Sequence, residues 1–210
     1  MQTTPHVRCH VVGAAGLQGS VPQLAAGDLL IAADAGWLAL QAVGLVPDLV
    51  VGDFDSAIAP TDIPIERLNP IKDETDLYAA LRMGRQKGYR HFVLYGALGG
   101  SWGHSTANLQ ILAGLVNEGF GATILAENVR VTAVHNGTLT LDKAHGTRVS
   151  VLAFGGKAEG VTLAGFRYPL NSDTLTPNFP LGVSNHIVTD IACVAVTEGT
   201  LLVFQENENK

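Results

Sequence analysis

The chain has 210 residues, of which 47% are hydrophobic and 15% charged, enough apolar material for one large or two small packed domains. Its net charge of -6, with no long run of Lys or Arg, excludes binding of nucleic acid or of an acidic membrane as a main role. No apolar run approaches the roughly 20 residues that cross a bilayer.

The opening Met-Gln-Thr-Thr-Pro-His lacks the basic start and apolar stretch of a signal peptide, so a soluble cytoplasmic protein is expected. Cys9 and Cys193 sit in apolar, strand-like runs without Cys-x-x-Cys spacing. They read as buried free thiols.

Taken in chain order, residues 7–12 form a first β-rich run ending in Gly13-Ala-Ala-Gly16, and residues 28–33 a second, ending at Asp34-Ala-Gly36. Trp37, Leu38, Leu40, Gln41 and Val43 then fit a helix that Gly44 terminates. A third strand covers 48–51. Thr75 reads as the N-cap of a helix reaching about Lys87, with Leu77, Ala80, Leu81 and Gly84 at helical spacing. Residues 91–95 give a fourth strand, running into Gly96-Ala-Leu-Gly-Gly100. A long helix is expected from about His104 to Asn117, and a fifth strand over 122–126. Strands that alternate with helices in this way predict a mainly parallel sheet covered on both faces, with ligands beyond the carboxyl ends of its strands.

From about residue 127 the pattern changes. Runs at 129–134, 138–141, 147–153, 160–163, 187–196 and 200–204 are separated by Asn136-Gly137, Gly155-Gly156 and Glu198-Gly199. No amphipathic helix stands among them. The expectation is an α/β domain over 1–126 followed by an all-β sandwich over 127–210.

The acidic residues carry the chemical signal. The apolar run at 49–51 empties into Gly52-Asp53-Phe54-Asp55-Ser56, and Lys72-Asp73-Glu74-Thr75-Asp76 follows. Carboxylates crowded at a strand end repel one another and lose hydration unless a cation holds them. Hard oxygen donors suit Mg²⁺, which keeps several waters and is shared with substrate phosphates. Asp53, Asp55 and Asp76 are the expected metal ligands. Neither a Walker A sequence nor Gly-x-Gly-x-x-Gly is present, so a generic P-loop or dinucleotide-binding reading fails.

These residues resemble a known family. Asp34-Ala-Gly, Pro47-Asp48 before Gly52-Asp-Phe-Asp-Ser56, Lys72-Asp-Glu-Thr-Asp76, Gly96-Ala-Leu-Gly-Gly100 with His104 and Asn108, and Gly182-Val-Ser184-Asn185 stand in the order seen in thiamine pyrophosphokinases. The resemblance implies Mg²⁺-dependent transfer of the diphosphate of ATP to thiamine with release of AMP. It also implies a homodimer with sites between subunits. Asp53 and Asp76 are then both metal ligands and catalytic candidates. Asp73 or a metal-site carboxylate accepts the hydroxyl proton, a choice the sequence leaves open. Lys72 is expected to pair with phosphate as a point charge. Asp34, Gly99, Gly100, His104 and Asn108 fall to nucleotide or substrate contact, with the glycines admitting backbone N–H groups to the phosphates. Ser184 and Asn185 are expected to contact the thiamine pyrimidine.

One departure stands out. Where the family shows Gly-Gly-Arg-x-Asp-His, this chain has Gly99-Gly-Ser101-Trp102-Gly103-His104. The missing guanidinium and carboxylate would otherwise strengthen nucleotide binding, and Trp102 is expected to compensate by stacking on the base. Two alternatives follow from that change: diphosphoryl or nucleotidyl transfer to another small alcohol, and a thiamine- or nucleotide-binding protein without turnover.

Overall fold

The computed structural model describes residues 7–54, 59–69, 71 and 73–207. The chain divides into two compact units. The first comprises the described residues up to Asn108 together with Phe120–Glu127. The second comprises Leu109–Gly119 and the described residues from Asn128 onward.

The first unit is built on six strands: β1 (Cys9–Val12), β2 (Leu29–Ala33), β3 (Leu49–Gly52), β4 (Ile65–Arg67), β5 (His91–Tyr95) and β6 (Gly121–Ala126). They pair in the order β6-β5-β1-β2-β3-β4, and every pairing is parallel. Continuous apolar runs explain this arrangement, because a parallel strand covered on both faces has no polar side to show. All four residues of β1 are buried, as are Leu30, Ile31, Ala32 and Ala33 of β2. The edge strand β4 was not expected from the sequence. Its three residues are all exposed, so it carries no hydrophobic pattern.

The connections follow local chemistry. Helix α1 (Gly36–Ala42) ends as Gly44 turns left-handed at φ 73° and donates its N–H to the Gln41 carbonyl at 3.0 Å. Helix α2 (Asp76–Gln86) is capped by Thr75, whose hydroxyl accepts from the Tyr78 N–H at 3.2 Å. Helix α3 (Trp102–Asn117) begins two residues earlier than its apolar spacing suggests. Strand β1 lies between β2 on one side and β5 on the other, so the order of connection reverses between β1 and β5. Crevices at such reversals are where doubly wound sheets take ligands.

The second unit holds β7 (Val129–Asp142), β8 (Arg148–Ala164), β9 (Leu170–Leu175), β10 (Asn185–His186) and β11 (Ile191–Glu206). They are antiparallel in the order β10-β8-β11-β7, with β9 on β8. These strands are fewer and longer than the short runs expected. Asn136-Gly137, Gly155-Gly156 and Glu198-Gly199 do not end strands. They are irregularities inside three long ones, where Asn136, Gly155 and Gly199 take φ of 43°, 76° and 105°. The ladder of β11 slips register between Val196 and Thr200. The β11 residues that enter the core of this unit fall on even numbers at 192, 194 and 196 but on odd numbers at 201 and 203, the change of face that a bulge imposes. Residues from both sides of the break, such as Val194 and Val203 or Val151 and Val161, fill one apolar core. The expected strand over 187–196 is likewise divided, since β11 starts only at Ile191 and Ile187 makes an isolated bridge to Phe166.

Candidate active site

Four strand ends of the first unit open onto one cleft of about 560 Å³, within the range that holds a cofactor-sized ligand. Gly13 follows β1, Asp34 follows β2, Asp53 follows β3 and Gly96 follows β5, and all four line it. Asp76, the first residue of α2, completes a set of three carboxylates around the same space.

The local chain explains each placement. Asp34 sits at φ 49° and its N–H donates to the Val51 carbonyl at 2.8 Å, so the turn after β2 is tied to β3. The N-cap position of α1 is Ala35, which offers no side-chain cap. Phe54 follows Asp53 at φ 60°, a left-handed conformation that is rare for a bulky residue and concentrates at functional turns. Its ring lies 5.0 Å from the Arg67 guanidinium carbon, and Arg67 Nη1 donates to the Asp53 carbonyl at 3.3 Å. Thr75 fixes the start of α2 and therefore the position of Asp76.

The opposite wall is the loop between β5 and α3. Gly99, Gly100, Ser101, His104 and Asn108 all line the cleft. Asn108 is buried, and its Nδ2 donates to the Ala97 carbonyl at 2.7 Å. Ser105 Oγ accepts from the Gly99 N–H and donates to the Ser101 carbonyl, both at 3.0 Å. Gln18 Nε2 donates to the Leu98 carbonyl at 2.8 Å. Gln18 and Ser105 were absent from the sequence-level candidates. The only signal for Ser105 was its place at the start of the expected helix, next to His104, and for Gln18 there was none.

The structure thus brings together Asp34, Asp53, Asp76, Gly99, Gly100, His104 and Asn108. Asp73 is exposed and stands outside the lining. Trp102 lies between two lining residues with 88% of its surface exposed. Asp55 and Lys72 lie outside the described residues. In the second unit Ser184 is exposed at φ 57°, and the buried Asn185 is engaged with the backbone of Tyr168. Its Nδ2 donates to the Tyr168 carbonyl at 2.7 Å and its Oδ1 accepts the Tyr168 N–H at 3.0 Å.

The donor set fits a hydrated divalent cation. The carboxylates of Asp34, Asp53 and Asp76 line the cleft, hard oxygen donors of the kind that holds Mg²⁺ together with water and phosphate. Among the described residues no group of three or more acidic, His or Cys side chains converges closely enough to chelate a metal alone.

The first unit also holds a buried polar chain. His10 Nε2 lies 3.2 Å from Asp28 Oδ2 and His10 Nδ1 lies 3.2 Å from the Tyr95 hydroxyl. A carboxylate only accepts, so Nε2 carries the proton, and in the neutral ring Nδ1 accepts from Tyr95. Burial lowers the His10 pKa, outweighing the hydrogen bond to Asp28 that raises it. Burial also pushes the Tyr95 phenol up to about 12. For Asp28, burial acts upward but is overcome by N–H donation from Ala25 and Arg8 and by His10, leaving its pKa below the ordinary value.

Both halves of the chain are similar to known proteins. Residues 22–124 match the family model of the thiamin pyrophosphokinase catalytic domain, and residues 137–201 that of the thiamin pyrophosphokinase vitamin B1 binding domain. A thiamine pyrophosphokinase of Bacillus subtilis (strain 168) is 27% identical over 188 residues, spanning 86% of this chain and 88% of its own. Among solved structures, the thiamin pyrophosphokinase of Geobacillus thermodenitrificans superposes with a TM-score of 0.84 at 25% identity, covering 97% of this chain and 99% of that one. The yeast enzyme shares the fold at a TM-score of 0.74 and 11% identity, over 98% of this chain and 88% of its own. Both units are matched, in order, by models of one enzyme: the chain belongs to the thiamine pyrophosphokinase family.

Proposed function

We propose that this chain transfers the diphosphate of ATP to the hydroxyl of thiamine, giving thiamine diphosphate and AMP, and that Mg²⁺ held by Asp53, Asp55 and Asp76 is required. The observation that carries the reading is the junction of Asp34, Asp53 and Asp76 with the Gly96–Gly100 loop in one cleft of a chain whose two halves match the family's catalytic and vitamin B1 binding domains.

The reaction forms a bond from the thiamine hydroxyl oxygen to the β-phosphorus and breaks the bond from that phosphorus to the oxygen retained by AMP. Such a transfer needs positioning and charge cancellation more than a covalent nucleophile. Bound Mg²⁺ would supply Lewis acidity at the phosphate oxygens. Asp53 and Asp76 hold the cation side of the cleft, while the Gly99–Gly100 backbone faces the phosphates from the other wall. Asp34 and His104 complete the substrate contacts, and Lys72 adds a positive charge. The hydroxyl proton passes to Asp73 or to one of the metal-site carboxylates. Trp102, exposed beside the loop, stacks on the base in place of the family's arginine. Ser184 and Asn185 belong to the thiamine side, as part of a homodimer that joins units of two subunits. A cytoplasmic setting is part of the same proposal. It is supported by Cys9 and Cys193 being free thiols, and among the described residues no helix is long and apolar enough to cross a membrane.

Incubation of the purified chain with ATP, Mg²⁺ and thiamine tests the reading. Equal amounts of AMP and thiamine diphosphate are expected, with no product when Mg²⁺ is chelated. AMP formed only with a different alcohol would replace the acceptor, and nucleotide binding without any AMP would end the enzymatic reading.

A further inference from the structure

Gln18 lies outside the residues matched by either family model, yet it reaches the wall of the cleft. Its Nε2 donates to the Leu98 carbonyl at 2.8 Å, across 80 positions of sequence. A Cβ placed on Gly99 would stand 2.8 Å from the same nitrogen, so the carboxamide occupies the space beside that glycine. Gln18 itself is held at φ 48°, a left-handed conformation that a non-glycine residue seldom adopts without compensation. Its loop is anchored on both sides: before it the Gly16 N–H donates to the Gly13 carbonyl at 3.2 Å, and after it the Ser20 N–H donates to the Leu17 carbonyl at 2.8 Å and Ser20 Oγ to the Ala126 carbonyl at 3.2 Å.

Gln18 is one of three side chains that bind carbonyls of the loop. Asn108 takes that of Ala97, Gln18 that of Leu98, and the Ser105 hydroxyl that of Ser101. With these carbonyls turned into protein, the loop has its orientation fixed from behind. Two of the three restraints come from α3, which the loop leads into. Gln18 supplies the one that comes from the opposite side of the strand reversal.

We propose that Gln18 is a positioning residue for the nucleotide, acting through the Leu98 carbonyl to hold the 97–101 loop in its binding geometry. The proposal rests on the reading of this cleft as the ATP site. A lost hydrogen bond that leaves a carbonyl partly shielded from water weakens the dependent interaction about fivefold to tenfold. Gln18→Met keeps the length of the side chain and removes the donor.

The test uses the full chain with Mg²⁺ and α,β-methylene-ATP, an analogue that cannot transfer its diphosphate. Calorimetry is expected to show the analogue bound about fivefold to tenfold more weakly by Gln18→Met. Hydrogen exchange in the nucleotide-free protein should quicken over residues 97–101 and stay unchanged over β8 and β11. The KM for ATP should rise while that for thiamine stays put, a split that a general loss of stability would not produce. Gln18→Asn, which stays polar but is too short to reach Leu98, gives the same pattern should Gln18→Met fold poorly. Analogue affinity within twofold of wild type, with unaltered exchange in the loop, overturns the proposal. Wild-type protein that binds the analogue but makes no thiamine diphosphate overturns the reaction and leaves the role of Gln18 standing on the binding data.

Discussion

Gly13 and Gly96 meet where the sheet reverses its order of connection, and neither has room for a side chain. A Cβ on Gly13 would lie 2.8 Å from the Gly96 carbonyl oxygen, and one on Gly96 would lie 2.6 Å from that of Gly13. The Gly13 N–H already donates to the Tyr95 carbonyl at 2.8 Å, and Gly96 is left-handed at φ 58°. Gly96→Ala therefore combines a conformational cost of about 1–2 kcal/mol with overpacking of about 1–3 kcal/mol. The expected result is a clear drop in melting temperature with nucleotide affinity lost well before global unfolding. Calorimetry on both quantities checks it, and a variant matching wild type in each would show that the two loops are free to separate.

Asp53 presents a different balance. It is only half-buried at the cleft edge, so replacing its carboxylate by an amide changes charge far more than packing. For Asp53→Asn, kcat is expected to fall about a hundredfold or more, the scale seen when one preorganised electrostatic group is removed, with the melting point nearly unchanged. Asp76→Asn should lose comparable activity and, in addition, about 0.3–1 kcal/mol of stability, because Asp76 lies in the first turn of α2 and favours its N-terminal dipole. Steady-state rates with thermal melts separate the two. An Asp53→Asn enzyme of full activity would remove that residue from the metal site.

The gathering of Asp34, Asp53 and Asp76 around one cleft was legible because its signals are local. Asp34 and Asp53 directly follow apolar runs that could only be buried strands, and Thr75 announces its helix with an N-cap hydroxyl. The opposite wall was less legible, since Gln18 and Ser105 gain their meaning from carbonyls that the fold brings to them. In the β-rich half, Asn136-Gly137, Gly155-Gly156 and Glu198-Gly199 carry turn chemistry but serve as bulges. The same left-handed residues that close a hairpin also kink a continuous strand, and composition does not separate the two uses. Strand β9, with Asn171, Ser172 and Asp173 at its centre, was hidden for a simpler reason: its polar residues look like a loop.

The buried chain Asp28–His10–Tyr95 makes stability depend on pH in a defined direction. The His10 pKa is lowered in the folded protein, mainly by burial, so below about 6.5 the unfolded chain takes up a proton that the folded chain resists. Stability is then fully present above about 6.5 and declines as pH falls below it, by at most about 1.4 kcal/mol per pH unit from this group. Asp28, also lowered, adds a second loss at more acid pH, as the solution falls past its ordinary value and through its folded one. Urea unfolding at pH 5.5 and 7.5 is expected to show the difference in wild type and to lose most of it in His10→Gln. Equal slopes in the two proteins would mean that His10 is not the group that titrates.

Trp102 exposes 88% of its surface at the start of α3, between Ser101 and His104, both of which line the cleft. An indole left in water loses little when truncated unless a ligand covers it. Stacking of a base on that ring is worth about 0.5–1.5 kcal/mol, so Trp102→Ala is expected to raise the KM for ATP about twofold to tenfold and to leave both kcat and the melting temperature close to wild type. Trp102→Phe, which keeps an aromatic face, should recover most of the affinity. Because Trp37 is packed against the core of the first unit, nucleotide-dependent quenching of tryptophan fluorescence should vanish in Trp102→Phe. Unchanged ATP affinity in Trp102→Ala would dismiss the stacking role and leave the loop backbone to compensate for the absent arginine.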